Sequence, residues 1–327
     1  MRKIIQATVF YLTAAICLSL AGPSARAADK LTVGISFQQL SDPFFISIIY
    51  GCQKAAKEEG INLIIHEAGG YANVDRQIQQ IEDLIQKKVD MMIIMPTNAK
   101  GVVPVVERAI ASGIPAMDMG SQVASNKMIA FVQADDHELG AAQARFLVSI
   151  LKGNGKVLYI AGPAGVTWTV DRLAGFKSVL EKSPDLKLLD ELWINSSREA
   201  GLRNTEDKLE TYKDLDAISA GADVMTQGSG DALKAANKVG KVLLTTVGFS
   251  KDTEDMIRNG VIQMTAAQQT VLMGYNAVKT AVKYLRKQPY EKNIKIAPIV
   301  VTKENIANLS LETIRAPDDF KPKLMYP

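Results

Sequence analysis

The 327-residue chain carries 38 basic and 35 acidic residues, a formal net charge of +3. That balance gives no basic field for nucleic acid or for an anionic membrane surface. The length exceeds what one hydrophobic core usually organises, so two lobes are expected.

Arg2 and Lys3 precede an apolar run from Ile4 to Leu20, which ends in Gly22-Pro23-Ser24 and the small-x-small triplet Ala25-Arg26-Ala27. This order of basic, apolar and small residues predicts an export leader cleaved after Ala27, and hence a periplasmic location. The apolar run is marginal for a bilayer span, which needs roughly 20 residues. Loss of Arg2, Lys3 and Arg26 leaves 35 basic residues against 35 acidic, so the mature chain is near neutral. It keeps Cys52 alone, which excludes an internal disulfide.

From residue 31 onward strands and helices alternate. Leu31–Ser36 reads as a strand, and Asp42-Pro43 starts a helix, with Asp42 as N-cap and Pro43 at the first helical position. Gly60 stops that helix, and Ile61–His66 forms the next strand. Asn73 precedes a helix whose Ile78, Ile81, Leu84 and Ile85 share one face. Val89–Met95 is the near-continuous apolar run of a parallel strand covered on both sides. A helix over 101–112 leads to a strand ending at Asp118, and Ile129–Val132 precedes a helix from about Asp136. The rhythm then restarts with strands at 156–160, 187–193, 216–225, 242–247 and 261–266, separated by helices at 171–182, 199–213, 230–239 and 252–259. A last helix covers 270–287, and the tail from Arg315 to Pro327 reads as a surface strap. Two such series predict an α/β fold of two doubly wound parallel-sheet lobes with right-handed crossovers. Ligands of open α/β sheets bind beyond the carboxyl ends of the strands, so a cleft between the lobes is the expected site and hinge closure the expected motion.

Nothing in the sequence assembles catalytic machinery. His66 and His137 lie far apart and in no metal-ligand spacing. Gly228-Ser229-Gly230 lacks the first glycine of a nucleophile elbow, and Gly153-Asn154-Gly155 precedes a strand, the wrong context for a dinucleotide loop. Asp135-Asp136 stands at a helix start, where a cap and dipole partner is the simpler reading than a catalytic pair. No cofactor, no metal and no catalytic residue are therefore assigned. An α/β enzyme stays as an alternative on fold alone.

Candidate ligand residues come from the strand ends. Phe44 and Phe45 are neighbours on a helix start and cannot both face one core, so one of them should face the cleft. Gly69-Gly70 allows a turn that presents Tyr71. Asp118 puts a carboxylate just past an apolar strand. Trp168 offers a flat surface for a sugar face or a methylated ammonium group, and Gln268 follows a strand near a lobe crossover.

Leu40-Ser-Asp-Pro-Phe-Phe45, Asp90-Met-Met-Ile-Ile-Met-Pro-Thr97, Gly113-Ile-Pro115 with Asp118, Asp171-Arg172-x-x-Gly175-Phe176, Val247-Gly248-Phe249 and Ala267-Gln268 resemble the ribose/galactose-type periplasmic solute-binding proteins, in order and across the whole mature chain. The resemblance implies three crossovers, near 133–136, 267–270 and 294–298. The corresponding lobes are 28–134 with 268–295, and 135–267 with 296–327. It also implies that Asp42, Phe44, Phe45, Asp118 and Gln268 line the cleft. The chain departs from the family's sugar clamps: Met119 and Val170 stand where arginines are usual, Ser250 replaces an acid, and the usual asparagine falls around Gly228 or Ser229. Glu67-Ala-Gly-Gly-Tyr-Ala-Asn73 and Tyr284-Leu-Arg-Lys-Gln-Pro-Tyr-Glu-Lys292 resemble the TorT-like subgroup, which implies trimethylamine N-oxide as ligand and an inner-membrane partner that is either an ABC permease or a sensor histidine kinase. Independently of that alignment, a cage of Phe44, Phe45, Tyr71 and Trp168 would suit a methylated ammonium-type head group. A sugar-binding component of an ABC uptake system, delivering to an inner-membrane permease, is the alternative. A LacI-type repressor shares the fold but needs a DNA-reading helix-turn-helix where this chain has its leader.

Overall fold

Strand β1 (Thr32–Phe37) is buried over almost its whole length because strands flank it on both sides. The computed structural model describes residues 30–40 and 42–327; the leader expected over 1–27 lies outside them. Helix α1 (Pro43–Glu59) follows. Asp42 caps it by accepting from the Phe44 N–H, Pro43 opens it, and Gly60 ends it in the left-handed conformation. Next come β2 (Asn62–Glu67), α2 (Val74–Gln86), β3 (Met91–Ile94), α3 (Val103–Ala111), β4 (Ala116–Met119) and β5 (Phe131–Ala134). The second series runs α4 (Asp136–Ile150), β6 (Gly155–Ile160), α5 (Thr167–Leu180), β7 (Leu186–Leu192), α6 (Arg198–Thr211), β8 (Ala217–Ala220), α7 (Asp223–Ala235), β9 (Leu243–Val247), α8 (Lys251–Arg258) and β10 (Met264–Ala267). Helix α9 (Thr270–Leu285), β11 (Asn293–Ile296), β12 (Ile299–Thr302) and β13 (Met325–Tyr326) close the chain.

The strands form two sheets, ordered β11-β5-β4-β3-β1-β2-β13 and β12-β10-β9-β8-β6-β7. Pairing is parallel except for β12 with β10 and β13 with β2. The fold is therefore the expected two-lobed α/β type. Between β5 and α4 the chain leaves the first sheet, and α4 takes its place beside α5. Between β10 and α9 it returns, since α9 packs on α1 in the core of the first lobe. Between β11 and β12 it crosses a third time.

Three differences from the sequence reading bear on the site. The strand expected over 216–225 stops at Ala220, and α7 begins at Asp223 rather than near residue 230. Ala222 and Val224 prolong an apolar pattern that reads as strand, but the backbone turns into a helix after Ala222. Helix α5 begins at Thr167, so Trp168 sits in its first turn and not in the preceding loop. The tail, assigned with 296–327 to the second lobe, ends as β13 on the first sheet. There it pairs with the free edge of β2, and the Ile65 N–H also donates to the Leu324 carbonyl at 2.8 Å. An unpaired edge is a row of unsatisfied backbone groups, and the tail covers it.

The α4–α5 crossing is closer than ordinary side chains permit. A Cβ on Gly140 would lie 1.8 Å from the Arg172 carbonyl oxygen, and one on Gly175 would lie 1.8 Å from that of His137. Glycine at both positions lets the backbones touch, and this fixes where Asp136 and Arg172 stand.

Candidate functional site

The carboxyl ends of strands from both sheets converge on a cavity of about 140 Å³. The first lobe supplies Asp42, Phe44 and Phe45 after β1, Tyr71 after β2, and Gly120 with Ser121 after β4. The second supplies Trp168 and Arg172 from α5, Asp223 after β8, and Phe249 with Ser250 after β9; Asp136 and Gln268 come from the crossovers. This is the position open α/β sheets reserve for ligands. The volume lies far above the ~15 Å³ that one water needs, and below the roughly 300–1,000 Å³ of clefts for drug-sized ligands.

Of the residues singled out from sequence, Asp42, Phe44, Phe45, Tyr71, Trp168 and Gln268 line this cavity. Phe45 is 2% exposed and packs edge-on to Phe37, with ring centroids 6.2 Å apart. Phe44 meets Phe45 edge-to-face at 5.1 Å. The buried ring thus braces the one beside it.

Asp118 is not among the lining residues. It is 2% exposed, and its carboxylate accepts from the Val123 N–H at 3.0 Å. The chain bends immediately after β4, where Gly120 has φ +71°. Gly120 and Ser121 consequently hold the wall that Asp118 was expected to form. Burial pushes the Asp118 carboxyl up to about 7.

The charged floor of the site comes mostly from residues not singled out in the sequence. The Arg172 Nε donates to Asp136 Oδ1 at 2.8 Å, its Nη1 donates to the Gly221 carbonyl at 2.5 Å, and its guanidinium carbon lies 4.6 Å from the Trp168 ring centroid. Burial raises the Asp136 pKa, opposed by the Arg172 charge and hydrogen bond. Asp223 accepts from the Ser250 N–H and the Thr253 hydroxyl, both at 3.2 Å. Burial raises its pKa against those bonds. Burial also raises Asp42, the Phe44 N–H opposes this, and the Asp223 charge from the other lobe adds to the rise. Tyr71 lines the cavity, with 48% of the residue still exposed. Burial at its hydroxyl end, followed by the Asp42 charge, pushes that hydroxyl up to about 12.

The family's usual clamp positions are empty of polar reach. Met119 is fully buried in the first-lobe core, and Val170 is exposed on the outer side of α5. The family asparagine was placed around Gly228 or Ser229, but both are buried at the α6–α7 contact, where Ser229 accepts from the Thr205 hydroxyl at 2.8 Å. The side chain that reaches the cavity from that strand end is Asp223. Arg172 stood within a family-like motif, and Asp136 within an acidic pair read only as a helix cap. Their pairing across 36 residues has no local signature. Among the described residues no group of three or more His, Cys, Asp or Glu side chains could hold a metal ion.

A family model described as "Periplasmic binding protein domain" matches residues 33–289. The chain belongs to the periplasmic binding protein domain family. It is 31% identical over 267 residues to the ribose import binding protein RbsB of Bacillus subtilis strain 168, covering 81% of this chain and 85% of that protein. The periplasmic protein TorT of Escherichia coli K12 is 24% identical over 296 residues, covering 89% and 83%. An ABC transporter solute-binding protein from Actinobacillus succinogenes 130z, solved with bound D-allose, matches with a TM-score of 0.81 and 26% identity over 86% of this chain and 100% of that one. One from Bradyrhizobium sp. BTAi1, with bound Bis-Tris, gives a TM-score of 0.83 at 26% identity over 91% and 90%.

The ribose import binding protein and the ABC transporter solute-binding proteins are binding proteins and not enzymes. The narrower TorT-like expectation is not singled out: TorT lies among the relatives, at lower identity than the ribose import binding protein. The aromatic cage expected for a methylated head group is altered as well, because one face of Trp168 already carries the guanidinium of Arg172.

Proposed function

We propose that the protein is the periplasmic solute-binding component of an ABC-type uptake system, and that it captures a compact polyhydroxylated ligand of the monosaccharide class between its lobes. One observation carries the reading. A cavity of about 140 Å³ at the strand ends of both lobes sets aromatic rings (Phe44, Tyr71, Trp168) beside the hydrogen-bonding groups of Asp42, Asp223 and Gln268. Rings take the apolar face of a sugar, and carboxylate and amide groups take its hydroxyls. The names of the ribose import relatives and the D-allose-bound structure support this ligand class.

Without arginines at positions 119 and 170, the hydroxyl contacts are expected to differ from those of the ribose-type clamp. Delivery follows from closure of the lobes, which would present a joined surface to an inner-membrane permease. The direct test is titration calorimetry of the mature protein with D-ribose, D-allose and trimethylamine N-oxide. Binding of a sugar supports uptake. Binding of the N-oxide alone overturns the sugar reading in favour of the TorT-like one, with a sensor kinase as partner.

A further inference from the structure

The family match ends at residue 289, yet Ile314 and Arg315 belong to the cavity wall. The chain reaches that wall after β12, from the second lobe, and lies along the second crossover. The Leu272 N–H donates to the Thr313 carbonyl at 3.1 Å, and the Thr270 hydroxyl to the Ile314 carbonyl at 2.5 Å. One residue later the Ala316 N–H donates to the Ser47 hydroxyl of α1 at 3.1 Å. Between these first-lobe anchors Arg315 turns to the other lobe: its Nη2 donates to Glu254 Oε2 of α8 at 3.0 Å, and its guanidinium carbon lies 5.7 Å from the Phe249 ring centroid. The Arg315–Glu254 pair is about nine-tenths buried on both sides. Beyond it the tail continues to β13 on the first sheet. The chain therefore joins the lobes a fourth time.

We propose that residues 311–316 form a fourth interlobe strap that is part of the ligand site: Ile314 and Arg315 close its hinge end, and the Arg315–Glu254 tie holds the lobes together around the ligand. The ligand aspect rests on the capture of a small solute proposed above; the tie does not. Arg172 is committed to Asp136 and Gly221, whereas Arg315 keeps Nε and Nη1 without an acceptor among the described residues. Arg315 itself lines the cavity, so its guanidinium is the part of the strap that meets a ligand held there. Arg315 is thus the guanidinium able to serve ligand oxygens in place of the arginines absent at 119 and 170, and a planar fork does this where an ammonium does not.

The test uses the full mature protein. Spin labels on cysteines introduced at exposed Lys57 and Lys187, one in each lobe, report the interlobe distance by pulsed electron resonance; native Cys52 is buried. Wild type is compared with Arg315→Ala and with Glu254→Gln, which loosens the same tie from the other lobe and guards against a fault peculiar to the first variant. A longer or broader interlobe distance in both variants without ligand is the expected result, and distances matching wild type in both overturn the proposal. Calorimetry with D-ribose and D-allose runs beside it. Arg315→Ala and Arg315→Lys should both weaken the bound sugar by about tenfold or more. If wild type binds neither sugar, the sugar reading falls, and the distances alone decide on the strap.

Discussion

The guanidinium of Arg172 stands 4.6 Å from the Trp168 ring centroid while it holds the Asp136 carboxylate at 2.8 Å. A ring, a cation and an anion are thereby locked into one unit on the second lobe. Both members of the ion pair are buried, with side-chain exposures of 8% and 11%. Removing one partner of such a pair leaves the other as an uncompensated buried charge, which costs about 3–5 kcal/mol. Arg172→Ala is therefore expected to lower unfolding free energy by that order. Replacing both partners with Arg172→Met and Asp136→Leu should cost clearly less. Urea denaturation of the three proteins checks this, and a double variant as unstable as Arg172→Ala would contradict it.

The same unit depends on the α4–α5 approach. Gly175→Ala drives a methyl group against the His137 carbonyl at 1.8 Å, a distance no packing tolerates. The helices must separate, and overpacking of this kind costs typically 1–3 kcal/mol, occasionally more. Because α5 carries Arg172 and Trp168, the displacement should also weaken ligand binding. The comparison is Gly60→Ala, where a Cβ meets nothing within 4 Å and only the left-handed backbone is strained. Thermal unfolding and calorimetry on both variants should show lost affinity for Gly175→Ala alone.

Much of the fold was legible because its signals are local. Asp42, Pro43 and Gly60 bound α1 where capping chemistry requires, and the apolar run through Met91–Ile94 is the central strand β3. The first-lobe aromatics were readable for the same reason: each follows a strand directly. What escaped depends on contacts between distant segments or on backbone bends. Asp223 was hidden in a pattern that reads as strand until the helix is seen to begin there. Asp118 was assigned to the wall from its place at a strand end as well as by resemblance, but the bend at Gly120 passes that place to Ser121. Arg315 sits in a polar tail with nothing to mark it, and only the second crossover and Glu254 give it a place.

Asp118 gives the protein a pH dependence of definite sign. Its carboxyl titrates near 7 in the folded state, against 3.8 for the ordinary side chain, because burial disfavours the charge. Between those values the folded state holds a proton that the unfolded chain has lost, so stability falls as pH rises. The contribution is complete below about pH 4 and gone above about pH 7, with a slope of at most roughly 1.4 kcal/mol per pH unit. Asp42, Asp136 and Asp223 are shifted in the same direction. The decisive quantity is therefore the difference between wild type and Asp118→Asn. That difference should move against wild type as pH rises across this window, measured by urea midpoints at several pH values. A constant difference would show that Asp118 stays ionised when folded.

Trp168 and Trp193 are the chain's two tryptophans, and the structure gives them opposite surroundings. Trp168 lines the cavity under Arg172, whereas Trp193, 41% exposed at the end of β7, does not line it. A ligand entering the cavity displaces water from the Trp168 ring and leaves Trp193 in solvent. Fluorescence should therefore change on ligand addition in wild type and in Trp193→Phe, and the change should vanish in Trp168→Phe. Phenylalanine keeps a flat apolar surface but loses part of the area on which Arg172 lies, so affinity should fall modestly in Trp168→Phe. In Trp168→Ala, where the platform is gone, it should fall by about tenfold or more. Loss of the signal in Trp193→Phe instead would place the ligand outside this cavity.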